Sequence, residues 1–437
     1  MRGLRSTALL IIVLAALVGY LYYLDRDGAP DPNAREKVFA EVATDDIEEV
    51  QIAAANGTPA RVQKTDGAWR LLEPVQAAAD STEMSSIVNS LASIDIQRVV
   101  DENAANVSQY GLEPAHVTVS FRAKGETEPR RLLLGEKTPA GSDVYAMRPD
   151  SRRVFLVSSF LETTVNKEAF ALRDRRVLTF DRDKADGLEL ASGATVVQLA
   201  KNGTDWRLLK PIAARADFGQ VESIVVRLGS ANMESVVDET GSTGTAKYGL
   251  DRPTATFTVS AGGERTTLTL GATDNALVFA KDSSRPMVFT VAPTLKDDVL
   301  KAVSDYRRKD LFDARSFTAT RIELVRGAEM MAFEKSKDGD NEVWKTAAGE
   351  TADATKIEDL LTKVTSLRAD AFEAGSHAAL KAPILTATVR FDQDRTETVT
   401  FGRAGTDVFA TRSDEPGTAR LAAAGFDEAL KAIDAMK

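Results

Sequence analysis

Three tryptophan-led phrases recur at near-constant spacing along this chain, and no other property narrows its possible folds as much. "WRLLEP" begins at Trp69, "WRLLKP" at Trp206 and an eroded "WKTAAG" at Trp344, steps of 137 and 138 residues. Solenoid units of ~20–50 residues lean on their neighbours for a core, whereas a period this long gives each copy a core of its own. A chain of 437 residues exceeds one ordinary core and accommodates three copies.

The neighbours of each tryptophan recur with it. Asp80, Asp217 and Asp353 precede segments with apolar residues at helical spacing: Met84, Ile87, Val88 and Leu91; Val221, Ile224, Val225 and Leu228; Ile357, Leu360, Leu361 and Val364. That stripe predicts a helix buried along one face, with the Asp carboxylate as its N-cap. Glu83 and Gln220 stand three residues on and predict capping boxes in the first two copies, which Lys356 removes from the third. Alternating stretches such as "IEEVQIAA" before each tryptophan read as half-buried hairpins. After each helix come "YGLEP" or "YGLDRP", reduced to "LKAP" in copy three, then several short strand-like runs and a closing amphipathic helix at 160–172, 295–306 and 426–436. In Tyr-Gly-Leu the glycine supplies a positive φ. The expected fold class is therefore α+β: an N-terminal transmembrane helix, then three tandem repeats, each a β-hairpin, helix, antiparallel β-meander and closing helix. The expected boundaries are a cytoplasmic tip at 1–5, the membrane helix at 6–24, a linker at 25–37, and repeats at 38–180, 181–314 and 315–437, the last degenerate.

The membrane helix is read from the uncharged run 6–24, about 28 Å of helix and close to a bilayer's hydrocarbon thickness. Arg2 and Arg5 precede it and Asp25 follows, which places the N-terminus in the cytoplasm and the bulk of the chain outside. Tyr20, Tyr22 and Tyr23 fall where an outer aromatic belt sits. The alternative is a cleaved signal peptide, against which the run is long and ends in the bulky "YLYYL". The expected location is the inner membrane, single-pass, with a periplasmic ectodomain. The net charge of −10 argues against nucleic acid as a partner, and the absence of cysteine removes disulfides and thiolate chemistry.

Little in the sequence points to catalysis. His116 and His377 are the only histidines and read as ordinary surface or strand residues; no hydrolase, zinc-protease, phosphate-loop or dinucleotide motif occurs. Asp80 with Glu83 is explained by capping, and the repeated "VVDE" at 99–102 and 236–239 reads as a solvated strand end, with a cation contact as the alternative. No enzyme activity, cofactor or metal is expected. The most suggestive polar feature is basic: "LRDRRVL" and "YRRKDLF" stand where one repeat hands over to the next. Arg173, Arg175, Arg176, Arg307, Arg308 and Lys309 are therefore candidate partner-docking residues, inter-domain ion pairing being the competing explanation. Trp69 and Trp206 read as strand residues whose rings cover the core beneath the following helix rather than as a duplicated binding site.

Taken together, the tryptophan-led W+LxxP, "AD" opening a helix, YGLxxP, LLLG…YA and closing LRDR…L resemble the bacterial domain-of-unknown-function family 4340 (DUF4340) over nearly the whole region after the N-terminal run. The resemblance implies a membrane-anchored envelope protein associated with gliding-motility-type ABC transporters, whose subunits would be its partners, and carries no catalytic residue onto this chain. The function it implies is a non-enzymatic extracytoplasmic accessory or scaffold protein; the alternative is a periplasmic binding module for a glycan, lipid or peptide.

Overall fold

The computed structural model describes Tyr20 and residues 35–437 except Asn56, Asp340 and Gln393. The apolar run 6–24 otherwise lies outside the described residues; among these, no helix is long and apolar enough to cross a membrane.

In the first repeat, β1 (Ile47–Ala53), β2 (Ala60–Thr65), β3 (Ala68–Glu73) and the two-residue β4 (Ala77–Ala78) lead into α1 (Ser81–Ala92). The chain continues through β5 (Arg98–Asp101), β6 (Val117–Ala123), β7 (Arg130–Lys137), β8 (Asp143–Met147) and β9 (Val154–Ser158) to α2 (Ser159–Val165). All nine strands form one sheet in the order β4-β3-β2-β1-β6-β7-β8-β9-β5. The second repeat copies this order with β10 (Ala185–Ser192), β11 (Thr195–Asn202), β12 (Asp205–Lys210), β13 (Ala214–Arg215), α3 (Phe218–Ser230), β14 (Met233–Asp238), β15 (Ala255–Ala261), β16 (Glu264–Asp274), β17 (Leu277–Asp282), β18 (Val288–Val291) and α4 (Thr294–Val299). The third has eight strands: β19 (Ala319–Arg326), β20 (Glu329–Asp338), β21 (Asn341–Thr346), then α5 (Ala354–Thr365), β22 (Ala371–Glu373), β23 (Leu385–Phe391), β24 (Arg395–Ala404), β25 (Asp407–Arg412), β26 (Thr418–Leu421) and α6 (Ala423–Asp434). The chain divides into two compact units, the first ending at Arg175 and holding the first sheet, the second, Arg176–Lys437, holding the other two.

Three repeats are present, but the α+β expectation with an N-terminal membrane helix is corrected as to class: the described molecule is mostly antiparallel β, with no membrane-spanning helix among its described residues. The hairpin and the meander are not separate layers. β1 pairs with β6, β10 with β15 and β19 with β23, so each repeat is one continuous sheet. The reason lies in the side-chain alternation of the strands. Val50 and Ile52 of β1 and Val119 and Phe121 of β6 are paired residues pointing to the same buried face, so joining the strands extends one apolar surface. Both helices of a repeat contact each other, and their apolar stripes share one core with that face.

Caps and tryptophans fall where the sequence places them. Asp80 accepts from the Thr82 and Glu83 amides at 2.8 and 3.0 Å, Asp217 from Gln220 at 2.9 Å, and Asp353 from Thr355 and Lys356. The boxes do not close as expected. The Asp80 amide donates to the Leu172 carbonyl and the Asp217 amide to that of Tyr306, so the cap's own N–H is already taken, and Glu83 turns to Lys167. The Trp206 ring is buried, and its Nε1 donates to Glu222 of α3 at 2.8 Å. A lysine faces each tryptophan across the strands (Lys64, Lys201 and Lys335), with Lys201 Nζ 5.1 Å and Lys335 Nζ 5.4 Å from the ring centroids.

The closing helices of the first two repeats are shorter than the periodicity predicts, ending at Val165 and Val299. Downstream residues are drawn into backbone pairing with the end of the preceding sheet instead, as Asp174 is with Ala78 and Arg308 with Arg215. Gly111 and Gly249 have the positive φ expected of Tyr-Gly-Leu, 67° and 68°. This loop packs Tyr110 against Tyr145 and Tyr248 against Phe279. Copy three lost that tyrosine, yet His377 stacks on Phe409, the counterpart of Tyr145 and Phe279, with ring centroids 3.6 Å apart. Its Nδ1 accepts from the Ala379 amide, so the histidine is a loop cap and a ring surrogate, whereas His116 is exposed.

Candidate functional site

Four charged side chains buried among the described residues, Arg215, Arg307, Glu397 and Arg412, converge where the second repeat hands over to the third, inside the second unit. The handover segment is an extended chain stitched on both sides. On one side Ala216 bridges Arg307 and the Arg308 amide donates to Arg215; on the other Asp310 bridges Arg368 and the Leu311 amide donates to Leu367. Along this segment Tyr306, Leu311 and Phe312 are buried apolar anchors, and the basic residues Arg307 and Arg308 between them pair with Glu415 and Asp313.

Arg215, at the end of β13, is the hub. Its side chain is only 8% exposed, and it donates to Glu415 Oε1 at 2.6 Å, Asp313 Oδ1 at 2.6 Å and the Asp310 carbonyl at 2.7 Å. Glu415, on the loop after β25, also accepts from Arg307 Nη2 at 3.2 Å. Arg412 donates to Asp414 and to the Leu311 carbonyl and lies 3.5 Å from Glu397. Glu397 accepts from the Asp313 and Ala314 amides. Asp310 gathers Arg315, Arg368 and Arg308 around its carboxylate. Burial alone would raise the Asp313 carboxyl, but Arg215 and Arg308 outweigh it and hold it below the usual range. Burial likewise opposes the charge of Arg215, which Glu415 and Asp313 restore. Burial pushes Glu397 up in spite of Arg412. Buried charges persist only where partnered in this way.

The six basic residues singled out from the sequence are not equivalent. Arg173 and Arg307 occupy matching positions, each buried and bridged to the residue before a cap, Ala79 and Ala216. Arg175 lies 6.0 Å from the Phe170 ring centroid. The Arg176 carbonyl accepts from Arg285 Nη2. Arg308 pairs with Asp313 at 2.7 Å. Lys309 is half-buried and, among the described residues, has no side-chain partner. Arg308 and Lys309 border a cleft of about 510 Å³ that also reaches Arg207, Phe218, Arg368 and Arg395. Such a surface holds two repeats in fixed register and presents cations at a rim; among the described residues no cluster of acids or histidines is grouped to hold a metal.

Arg215, Asp313, Glu397, Arg412 and Glu415 were not legible as site residues in the sequence. A signal existed in the departures between copies. Arg215 stands where copy one has Ala78, and the loop "DSSRP" from Asp282 becomes "RSDEP" from Arg412. Charge is inverted at both ends: Asp282 pairs with Arg285 in one copy, while Arg412 and Glu415 meet the handover segment in the next. The repeated "VVDE" is also resolved: Asp238 accepts from the amides of Thr240, Gly241 and Thr243, so it organises a loop. Its carboxyl is held well below the usual range, by Thr243 foremost.

No curated protein sequence matches the chain. Among solved structures, a DNA polymerase sliding clamp from Pseudomonas aeruginosa aligns at 8% identity over 88% of this chain and 93% of its own, with a TM-score of 0.16. A griselimycin-bound sliding clamp from the same organism aligns at 9% identity over the same shares, with a TM-score of 0.15. Scores this low establish no common fold. The family model described as "Domain of unknown function (DUF4340)" matches residues 69–211 and 206–388. Each match opens on a repeated tryptophan, so the family unit starts at the third strand of one sheet and reaches into the next repeat. With most of the sequence matched, the chain belongs to the DUF4340 family.

Proposed function

We propose that this protein is a non-enzymatic scaffold of the cell envelope, held at the inner membrane by its apolar N-terminal run and partnering an ABC-type transporter from outside the cytoplasm. One observation supports a scaffold above all: the side chains that recur in register through the repeats serve packing or capping. The tryptophans seal a helix onto a sheet, the aspartates cap that helix, and the glycines after each "LL", "TL" or "TF" admit a neighbouring backbone. The orientation rests on Arg2 and Arg5 before the run, and the transporter partner on the family resemblance.

Purification of the full-length chain in mild detergent is expected to recover the membrane and nucleotide-binding subunits of an ABC-type transporter. Recovery of neither would sink the proposal.

A further inference from the structure

Arg307, which does not line the charged cleft, lines another cavity of about 230 Å³, with mainly apolar walls that include Ile212, Val303, Phe372 and Pro416. Arg307 is its one cationic lining residue, and Glu373 its one acidic residue. The Arg307 guanidinium is 5% exposed and lies 3.9 Å from the Phe372 ring centroid. Among the described residues its Nη2 donates to Glu415 and, at 3.4 Å, to the Pro416 carbonyl, while Nε is buried with no partner. Glu415 cannot neutralise it fully, because its other oxygen is taken by Arg215 at 2.6 Å. Burial accordingly pulls the Arg307 guanidinium down from its ordinary value, Glu415 notwithstanding. A buried cation with half a counter-ion beside an apolar hollow is complementary to one kind of small molecule.

We infer that this cavity binds a small carboxylate with a compact apolar tail, the carboxylate meeting the Arg307 guanidinium and the tail lying against Phe372, Val303 and Ile212. The site goes beyond the scaffold role and does not depend on it. The same chemistry is available from a free short-chain acid and from the C-terminus of an apolar peptide.

The test is calorimetric titration of the full-length chain in detergent with hexanoate and with acetyl-alanyl-leucine, each beside its neutral counterpart, hexanol or the dipeptide amide. At least one acid is expected to bind roughly tenfold or more tighter than its neutral partner, and which acid does so identifies the source of the carboxylate. Arg307→Gln is expected to abolish that preference. Because Arg307 is buried and its replacement can unfold the joint, Val303→Phe serves as a second variant: it fills the cavity, keeps the cation and is expected to weaken both acids at least tenfold. Equal affinity for acid and neutral forms, no binding of either acid, or binding indifferent to Val303→Phe in a folded protein would each overturn the inference.

Discussion

At the scale of single residues, the molecule depends on a few side chains that serve several partners at once. Arg215 serves two carboxylates and a carbonyl, so Arg215→Ala leaves Glu415 and Asp313 buried without their main cation. The expected loss is about 3–5 kcal/mol, read as a lower urea midpoint for the second unit. Glycine matters in the opposite sense, by what it omits. A Cβ at Gly271 would sit 2.2 Å from the Tyr248 carbonyl oxygen, and Gly135 and Gly402 meet the same obstruction at Tyr110 and Ala379. Gly271→Ala is expected to destabilise by about 2–3 kcal/mol, since backbone must move to admit the methyl group; a thermal midpoint unchanged from the parent would refute the close-approach explanation. His377 shows where residue-level reading stops. Its sequence setting is a degenerate loop, and only the fold brings Phe409 beneath it, 32 positions away in the chain.

Secondary-structure elements were legible in proportion to how local their causes are. The central helices, their aspartate caps and their buried stripes follow from a few adjacent residues, and all three appear where the spacing places them. Asp217→Ala is expected to cost about 1 kcal/mol of stability, measurable by chemical denaturation, because one orphan amide of α3 loses its acceptor while the Asp217 amide keeps Tyr306. The closing helices were over-read, since their apolar periodicity continues into residues that pair with the end of the sheet instead. Sheet continuity was missed for the same reason: the end of β1 at Ala53 and the start of β6 at Val117 are 64 positions apart, and nothing local to either names the other.

For the whole molecule, pH is an informative handle. Glu49 on β1 is buried, which disfavours its charge, yet donation from Arg61, Arg122 and Gln51 holds its carboxyl at about 2. A depressed folded value means stability that is fully present above the ordinary carboxylate range and lost as the pH falls from about 4.5 towards 2. Glu49→Gln is expected to flatten the acid limb of the first unit's stability curve by on the order of 2 kcal/mol, followed by denaturant midpoints across that window. The ionic joint between the second and third repeats could not be anticipated from composition, because Arg215 and Glu415 are separated by 200 positions.

That joint also bears on how the copies relate to one another. In the loop after the third meander strand, Arg285 of one copy corresponds to Glu415 of the next, and Asp282 to Arg412. A chain carrying its second repeat twice, in place of the third, would set the counterpart of Arg285 where Glu415 now stands, replacing the carboxylate that Arg215 and Arg307 share with a third cation. The second and third repeats are alike in strand order, but the reversed charges fit only the third to follow the second at this joint.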